Sequence, residues 1–321
     1  MKNNPSQNSF QRSIGLRKAI LHMMGNMIGV GIFIYPVMIA ASLPHPIWFL
    51  LIWVIGGLIA LTGALSSAEL GTFFPEAGGD YAYLRNVYGK RWAFLYGFLT
   101  FFITFPGSIA LGVGLTVHYQ GESLFGPWVR DVAFIVPVLS LKIFYYQILA
   151  CIIVLLLTIV NHLGVHSSFL LQKIITLVPI VFLIGICVLS LIFIGYDILI
   201  HKEIGKVMIT NLALPYEPPK LLGLGAALVP VYWTFSGWNS PLALGAEIAN
   251  PHKTIPRAMI FGPMLVTLIY LLFSFVFIAV VPYAEFRKGQ IDPYLVIGQF
   301  FLKSINFSNP YFLEFLPKFI S

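Results

Sequence analysis

Two apolar runs in this sequence are interrupted by glycine and then followed by proline. One is MGNMIGVGIFIYP, with Gly25, Gly29, Gly31 and then Pro36; the other is WTFSGWNSP, with Gly237 and then Pro241. If each run is a helix, an interruption creates two new ends in its middle. One end offers backbone N–H groups with a positive dipole, and the other offers unpaired carbonyls. That pair fits a zwitterion. A carboxylate would sit on the N–H groups near Gly29, Val30 and Gly31, as anions do at helix N-termini. An ammonium would meet carbonyls ending the first half-helix, near Met24 to Met27, or those near Trp233 and Thr234. Glycine suits such a place because a side chain would block approach to the backbone and restrict its dihedrals. Small residues also let helices pack closely in lipid, the plainer role for one Gly-x-Gly alone. Two breaks at matched positions, each with a trailing proline, favour binding.

Few other side chains in the apolar runs carry chemistry. His22 lies on the first half-helix, where an imidazole could carry a coupled proton, although a lone histidine there is more simply a packed polar group. Glu69 and Glu247 fall near the ends of apolar runs, where ionisable groups are functional candidates; Lys253 and Arg257 are the expected pairing partners. Cys151 and Cys187 show no metal or disulfide spacing and read as packing residues. The sequence has no H-E-x-x-H, no G-x-x-x-x-G-K-[ST] and no G-x-S-x-G. ATP hydrolysis and hydrolytic catalysis therefore have no visible basis, and we expect neither an enzyme nor a bound metal or cofactor.

These residues need a scaffold that spans a bilayer. Of 321 residues, 58% are hydrophobic and 10% charged, whereas soluble domains carry about a quarter charged residues. So few charges cannot cover a water-facing surface. The net charge of +7 does not point to nucleic acid, because Lys and Arg collect in loops rather than on one basic face. Apolar runs of about 20 residues, enough to cross a hydrocarbon core, are bounded at Lys18 to Ser42, Ile47 to Phe73, Trp92 to Tyr119, Tyr146 to Asn161, Leu171 to Tyr196, Leu221 to Ala249 and Arg257 to Tyr283. The fold class is therefore all-α integral membrane, with about seven spans. The first run is too long for a signal-peptide core and reads as a retained span. Pro75 to Gly89 reads as a turn and short helix between spans two and three.

Cytoplasmic loops hold the excess of Lys and Arg. The N-terminus and even-numbered loops hold Lys2, Arg12, Arg17, Lys18, Arg85, Lys90, Arg91, Lys173, Lys253 and Arg257, against Arg130, Lys142, Lys202, Lys206 and Lys220 opposite. The N-terminus, residues 1–17, is expected in the cytoplasm. Interruptions in spans one and six, five spans apart, predict two five-helix repeats with a binding site between them.

Three segments carry a family resemblance: MMGNMIGVGIFIYP, AELGTFFPEAGGDYAYLRNVYG and WTFSGWNSPLALGAEIANPHKTIPRAM. They resemble the amino acid, polyamine and organocation (APC) transporter superfamily, especially its L-type amino-acid permeases. The resemblance implies an inverted-repeat transporter fold with substrate held between broken helices one and six. It assigns Asn26, Met27, Gly29, Val30 and Gly31 to the first substrate stretch. The second comprises Trp233, Thr234, Phe235, Ser236 and Gly237, with Trp233 as a gating aromatic. Many relatives have serine in place of Val30, so one side-chain donor to a carboxylate is absent here. The resemblance runs from about Ile14 to Tyr283, and family members continue for further helices.

The expectation is then a single permease domain over residues 1–321. Its first repeat runs over about 18–196, the start of a second over about 221–283, and a tail over 284–321. It would be a multi-pass protein of the cell membrane that moves amino acids by alternating access, as an exchanger or an ion-coupled permease. Between Leu21 and Ala68, Trp92 and Tyr119, and Leu221 and Ala246 there is no Asp, Glu, Lys or Arg, which favours a neutral amino acid. An amino-acid sensor or receptor subunit, or a non-functional truncated permease, are the rival readings. Expected partners are the substrate and the lipid bilayer, with no nucleic acid; a non-covalent partner subunit stays open.

Overall fold

The computed structural model describes residues 12–29, 31–137, 141–162, 165–200, 203–289 and 296–298. The first apolar run folds as two helices, α1 (Leu16–Met27) and α2 (Gly31–Ser42), bent by 51° relative to one another. Ile28 ends α1 in an extended conformation while its own N–H still donates to the Met24 carbonyl at 2.7 Å. The residues between the two helices include Gly29, and Gly31 opens α2. Few side chains there resist a change of direction.

The second run is a single helix, α3 (Pro46–Phe73), of 28 residues. Pro46 occupies its first turn, where a missing N–H costs nothing. The imidazole Nδ1 of His45 accepts from the Ile47 N–H at 3.2 Å and caps the end. Gly78 (φ 108°) and Gly79 (φ 50°) turn the chain into the short α4 (Asp80–Val87), where the sequence pattern expects a short helix. The third run is α5 (Lys90–Leu99) and α6 (Phe105–Phe125), joined by a π-helical turn over Thr100–Thr104. Pro106, which lacks an N–H, lies just beyond that turn.

After a 3-10 turn (Pro127–Arg130), an antiparallel hairpin pairs β1 (Val132–Val136) with β2 (Leu141–Phe144). The hairpin departs from a purely helical expectation, and it sits outside every apolar run long enough to span. Then follow α7 (Tyr145–His162), α8 (Val165–Ile200), α9 (Glu203–Leu212), α10 (Leu221–Thr234), α11 (Ser240–Ala243), α12 (Pro251–Val280) and α13 (Tyr283–Arg287). Among the described residues, four helical stretches are long and apolar enough to cross a membrane, or five with the bent α1–α2 pair counted as one. The fourth and sixth predicted runs fold as apolar helices shorter than that test requires. The sixth run is a broken element, because α10 stops at Thr234 and the chain turns through residues 235–239 before α11.

The core is built on α12, which packs against α3 and α1 and also touches α8 and α9; α10 packs on α2 and α3. Small residues set these approaches, as expected where lipid provides no hydrophobic drive between helices. A side chain on Gly57 would collide with Thr267, and one on Gly262 would collide with Met23. By contrast, the apolar stretch of α5 and α6 buries none of its spanning window within the described structure. Of the two cysteines, Cys187 is buried as expected, whereas Cys151 is exposed on α7.

Candidate functional site

The two interruptions meet. Gly237, held at φ 103°, lies so close to Asn26 that a Cβ there would stand 2.6 Å from the Asn26 carbonyl oxygen. Across the break, a Cβ on Gly31 would stand 3.2 Å from Thr234 Oγ1 and from the Tyr35 ring. Glycine at these two positions lets the end of α1 and the start of α2 lie directly against the end of α10.

The carbonyls at the broken ends share a donor that the motifs did not reveal. The hydroxyl of Tyr270, on α12, lies 2.9 Å from the Met27 carbonyl oxygen and 3.1 Å from the Thr234 carbonyl oxygen. Tyr270 is fully buried, and its ring packs edge-on against Trp53 and Phe235, with centroids at 5.4 and 5.1 Å. Two of the carbonyls expected to receive an ammonium therefore already accept from a protein hydroxyl.

The sequence-selected residues divide by exposure. Met27, Gly31, Thr234 and Phe235 are buried, Gly237 is half-buried, and Asn26, Gly29, Trp233 and Ser236 are exposed. Val30 lies outside the described residues. The Phe235 ring belongs to the core, where it meets Trp53 and Tyr270. Trp233 is 44% exposed. The Asn26 side-chain amide folds back along α1 and donates to the His22 carbonyl at 2.8 Å. His22 is half-buried on that helix, its ring 3.5 Å from the same amide.

Beyond the break, two neighbouring segments hold residues 239–249. Gly78 N–H donates to the Ala243 carbonyl at 3.1 Å. Ile14, ahead of α1, donates to the Glu247 carbonyl and accepts from Ala249 N–H at 3.0 and 2.9 Å. The Asp80 carboxylate accepts from Asn239 Nδ2 at 3.1 Å and from the Tyr96 hydroxyl at 3.2 Å, tying α4 to the segment after Gly237. Burial, and then the nearby Asp80 carboxylate, push the Tyr83 phenol well above its ordinary range.

The expected pairing of Glu69 and Glu247 with Lys253 or Arg257 does not occur. Elsewhere, Glu76 pairs with Arg85 and Glu122 with Arg130. Glu69 instead lines an open groove of about 860 Å³ with Thr72 and Pro256. The pairing expectation came from all four residues falling near the predicted cytoplasmic ends of their apolar runs, and a shared side of the bilayer does not by itself bring two side chains within reach.

A profile described as amino acid permease matches residues 14–312, extending past Tyr283, where the motif resemblance stopped. The serine/threonine exchanger SteT of Bacillus subtilis is 30% identical over 271 residues, covering 84% of this chain and 55% of that protein. The mouse b(0,+)-type amino acid transporter 1 is 28% identical over 285 residues, covering 88% and 54%. The mouse Asc-type amino acid transporter 1 is 31% identical over 264 residues, covering 82% and 46%. The chain spans about half the length of the curated relatives it matches.

Proposed function

Because the chain belongs to the amino acid permease family, we propose that it is a secondary transporter of amino acids, with neutral amino acids as its cargo and exchange as its mode. The observation that carries this reading is the direct contact of two interrupted helices, Gly237 against Asn26 and Gly31 against Thr234. A substrate carboxylate is received by the N–H groups that open α2, around Gly29, Val30 and Gly31, because the first turn of a helix has no intrahelical acceptor for them. The ammonium lies toward the carbonyl ends of α1 and α10, where Asn26, Met27, Trp233, Thr234, Phe235, Ser236 and Gly237 form the wall. The exposed Trp233 ring covers the site. The uncharged runs on either side of the breaks suit a side chain without charge.

Alternating access then follows from rocking one group of helices about this fixed point. In this arrangement the N-terminus is cytoplasmic, residues 18–196 form the first repeat, and residues 221–283 begin the second. The test is uptake of radiolabelled neutral amino acids into proteoliposomes holding the full chain, with and without amino acid preloaded inside. Uptake stimulated by preloading is expected. Ligand-dependent thermal stabilisation without any uptake would overturn transport in favour of an amino-acid sensor.

A further inference from the structure

The start of α5 sets two cations beside a run of exposed rings. Lys90 and Arg91 are exposed and, among the described residues, make neither an ion pair nor a side-chain hydrogen bond. The acidic groups that precede them in the chain are engaged elsewhere: Glu76 with Arg85, and Asp80 with Tyr96 and Asn239. Nothing local neutralises the two charges. Tyr88 and Trp92 flank them and are 67% and 60% exposed. Rings of this kind, apolar with one polar atom, settle at the level of lipid headgroups.

Below the cations the apolar face continues in register. Phe94, Phe98 and Phe102 follow Arg91 at spacings of three, four and four, which puts them on one side of the helix. Their rings are exposed and form a ladder, with centroids 6.4 Å apart from Phe94 to Phe98 and 4.7 Å from Phe98 to Phe102. From Arg91 to Phe102 the helix rises about 16 Å, and the hydrocarbon of one leaflet is about 15 Å deep. The spanning window that carries the ladder buries none of its residues within the described structure. A soluble anion would use the cations and leave the ladder idle, whereas a phospholipid uses both.

We propose that this face is a binding site for one anionic phospholipid. Its phosphodiester and anionic headgroup rest on Lys90 and Arg91, its glycerol lies level with Tyr88 and Trp92, and an acyl chain runs along Phe94, Phe98 and Phe102. In the orientation proposed above, this end of α5 lies in the cytoplasmic leaflet, where anionic lipids collect. The lipid seats on an element tied to the second interruption, because Tyr96 of α5 and Asn239, just after Gly237, donate to the same Asp80 carboxylate. Binding of the lipid does not depend on transport, so this proposal and the transport reading fail separately.

The experiment places the full chain in phosphatidylcholine liposomes with a trace of phosphatidylglycerol or phosphatidylcholine bearing the same diazirine-labelled acyl chain. After illumination, adducts are mapped to residues by proteolysis and mass spectrometry. A cation near an anionic lipid is worth about fivefold in affinity, so phosphatidylglycerol should label the stretch 88–105 on the order of twentyfold more than phosphatidylcholine does. Lys90→Gln combined with Arg91→Gln should bring that preference down to about one. Lys253→Gln combined with Arg257→Gln removes two exposed cations on the same predicted side and should leave the preference as in the parent.

Equal labelling by the two lipids in the parent would overturn the proposal. An equal fall in both double variants would overturn it too, by showing a diffuse positive surface in place of a site. Loss of labelling on adding excess glycerol phosphate would mean that the cations hold a soluble phosphate and not a lipid. Should the Lys90 and Arg91 variant fail to insert, the parent alone decides: at about 1 M salt, where the Debye length is about 3 Å, the preference for phosphatidylglycerol should collapse. A preference unchanged by salt would overturn the role of the two cations.

Discussion

Gly237 and Gly29 sit in equivalent-looking motifs, yet the structure asks different things of them. Gly237 has φ 103° and stands against the Asn26 carbonyl, whereas nothing lies within 4 Å of a Cβ placed on Gly29. Gly237→Ala should therefore combine backbone strain with a clash and cost on the order of 1–3 kcal/mol or more. Gly29→Ala should change stability by no more than about 0.5 kcal/mol, so that any loss it causes falls on substrate affinity. Thermal unfolding in detergent, run beside uptake, separates the two; equal melting temperatures for both variants would contradict this account. The glycines were legible in the sequence because they break apolar runs. Their unequal burdens were not, since a positive φ and a neighbour 211 positions away belong to the folded chain.

At the scale of elements, the end of α12 shows how one buried polar side chain can finish a helix. Asn211, on α9, donates through Nδ2 to the carbonyls of Ile278 and Val281 at 2.7 and 2.8 Å, and accepts from Tyr283 N–H at 2.8 Å. The amide thus satisfies orphan carbonyls of the last turn of α12 and positions α13. Asn211→Asp keeps the acceptor but turns a carboxylate toward two carbonyl oxygens at the negative end of a helix dipole. We expect a loss of at least about 2 kcal/mol at neutral pH. The loss should shrink on acidification, because a protonated carboxyl regains a donor. Chemical denaturation at pH 5 and pH 8 would reveal it, and a pH-independent difference would argue against the capping role. Nothing in the sequence marks Asn211, because its partners lie 67 to 72 residues away. α4 was legible, because two glycines and Asp80 punctuate its start within a few residues.

For the whole molecule, the contrast between α12 and the α5–α6 element decides what faces outward. α12 carries 61% of its apolar window buried, and the α5–α6 window carries none. Phe101 is 70% exposed in the middle of that element. Phe101→Arg should cost about 2.5–3.5 kcal/mol of membrane insertion, read as reduced membrane integration in a glycosylation-mapping assay. Full integration would mean that this face meets water. The same burial pattern places the core on the faces of α1, α3, α10 and α12.

The sequence by itself determined that the chain lives in a bilayer, where the long apolar stretches lie, where the two interruptions fall and which family the motifs resemble. Each of those depends on composition and on spacing along the chain, which periodicity and hydropathy read directly. Only the tertiary structure decided that Gly237 lies on Asn26, that Phe235 turns into the core, that Asp80 binds Asn239, and that Tyr270 holds the ends of both broken helices. A tyrosine in the middle of an apolar helix looks like any packed aromatic. Its hydroxyl acquires a role only when helix packing brings Met27 and Thr234, 243 and 36 positions away, to the same oxygen.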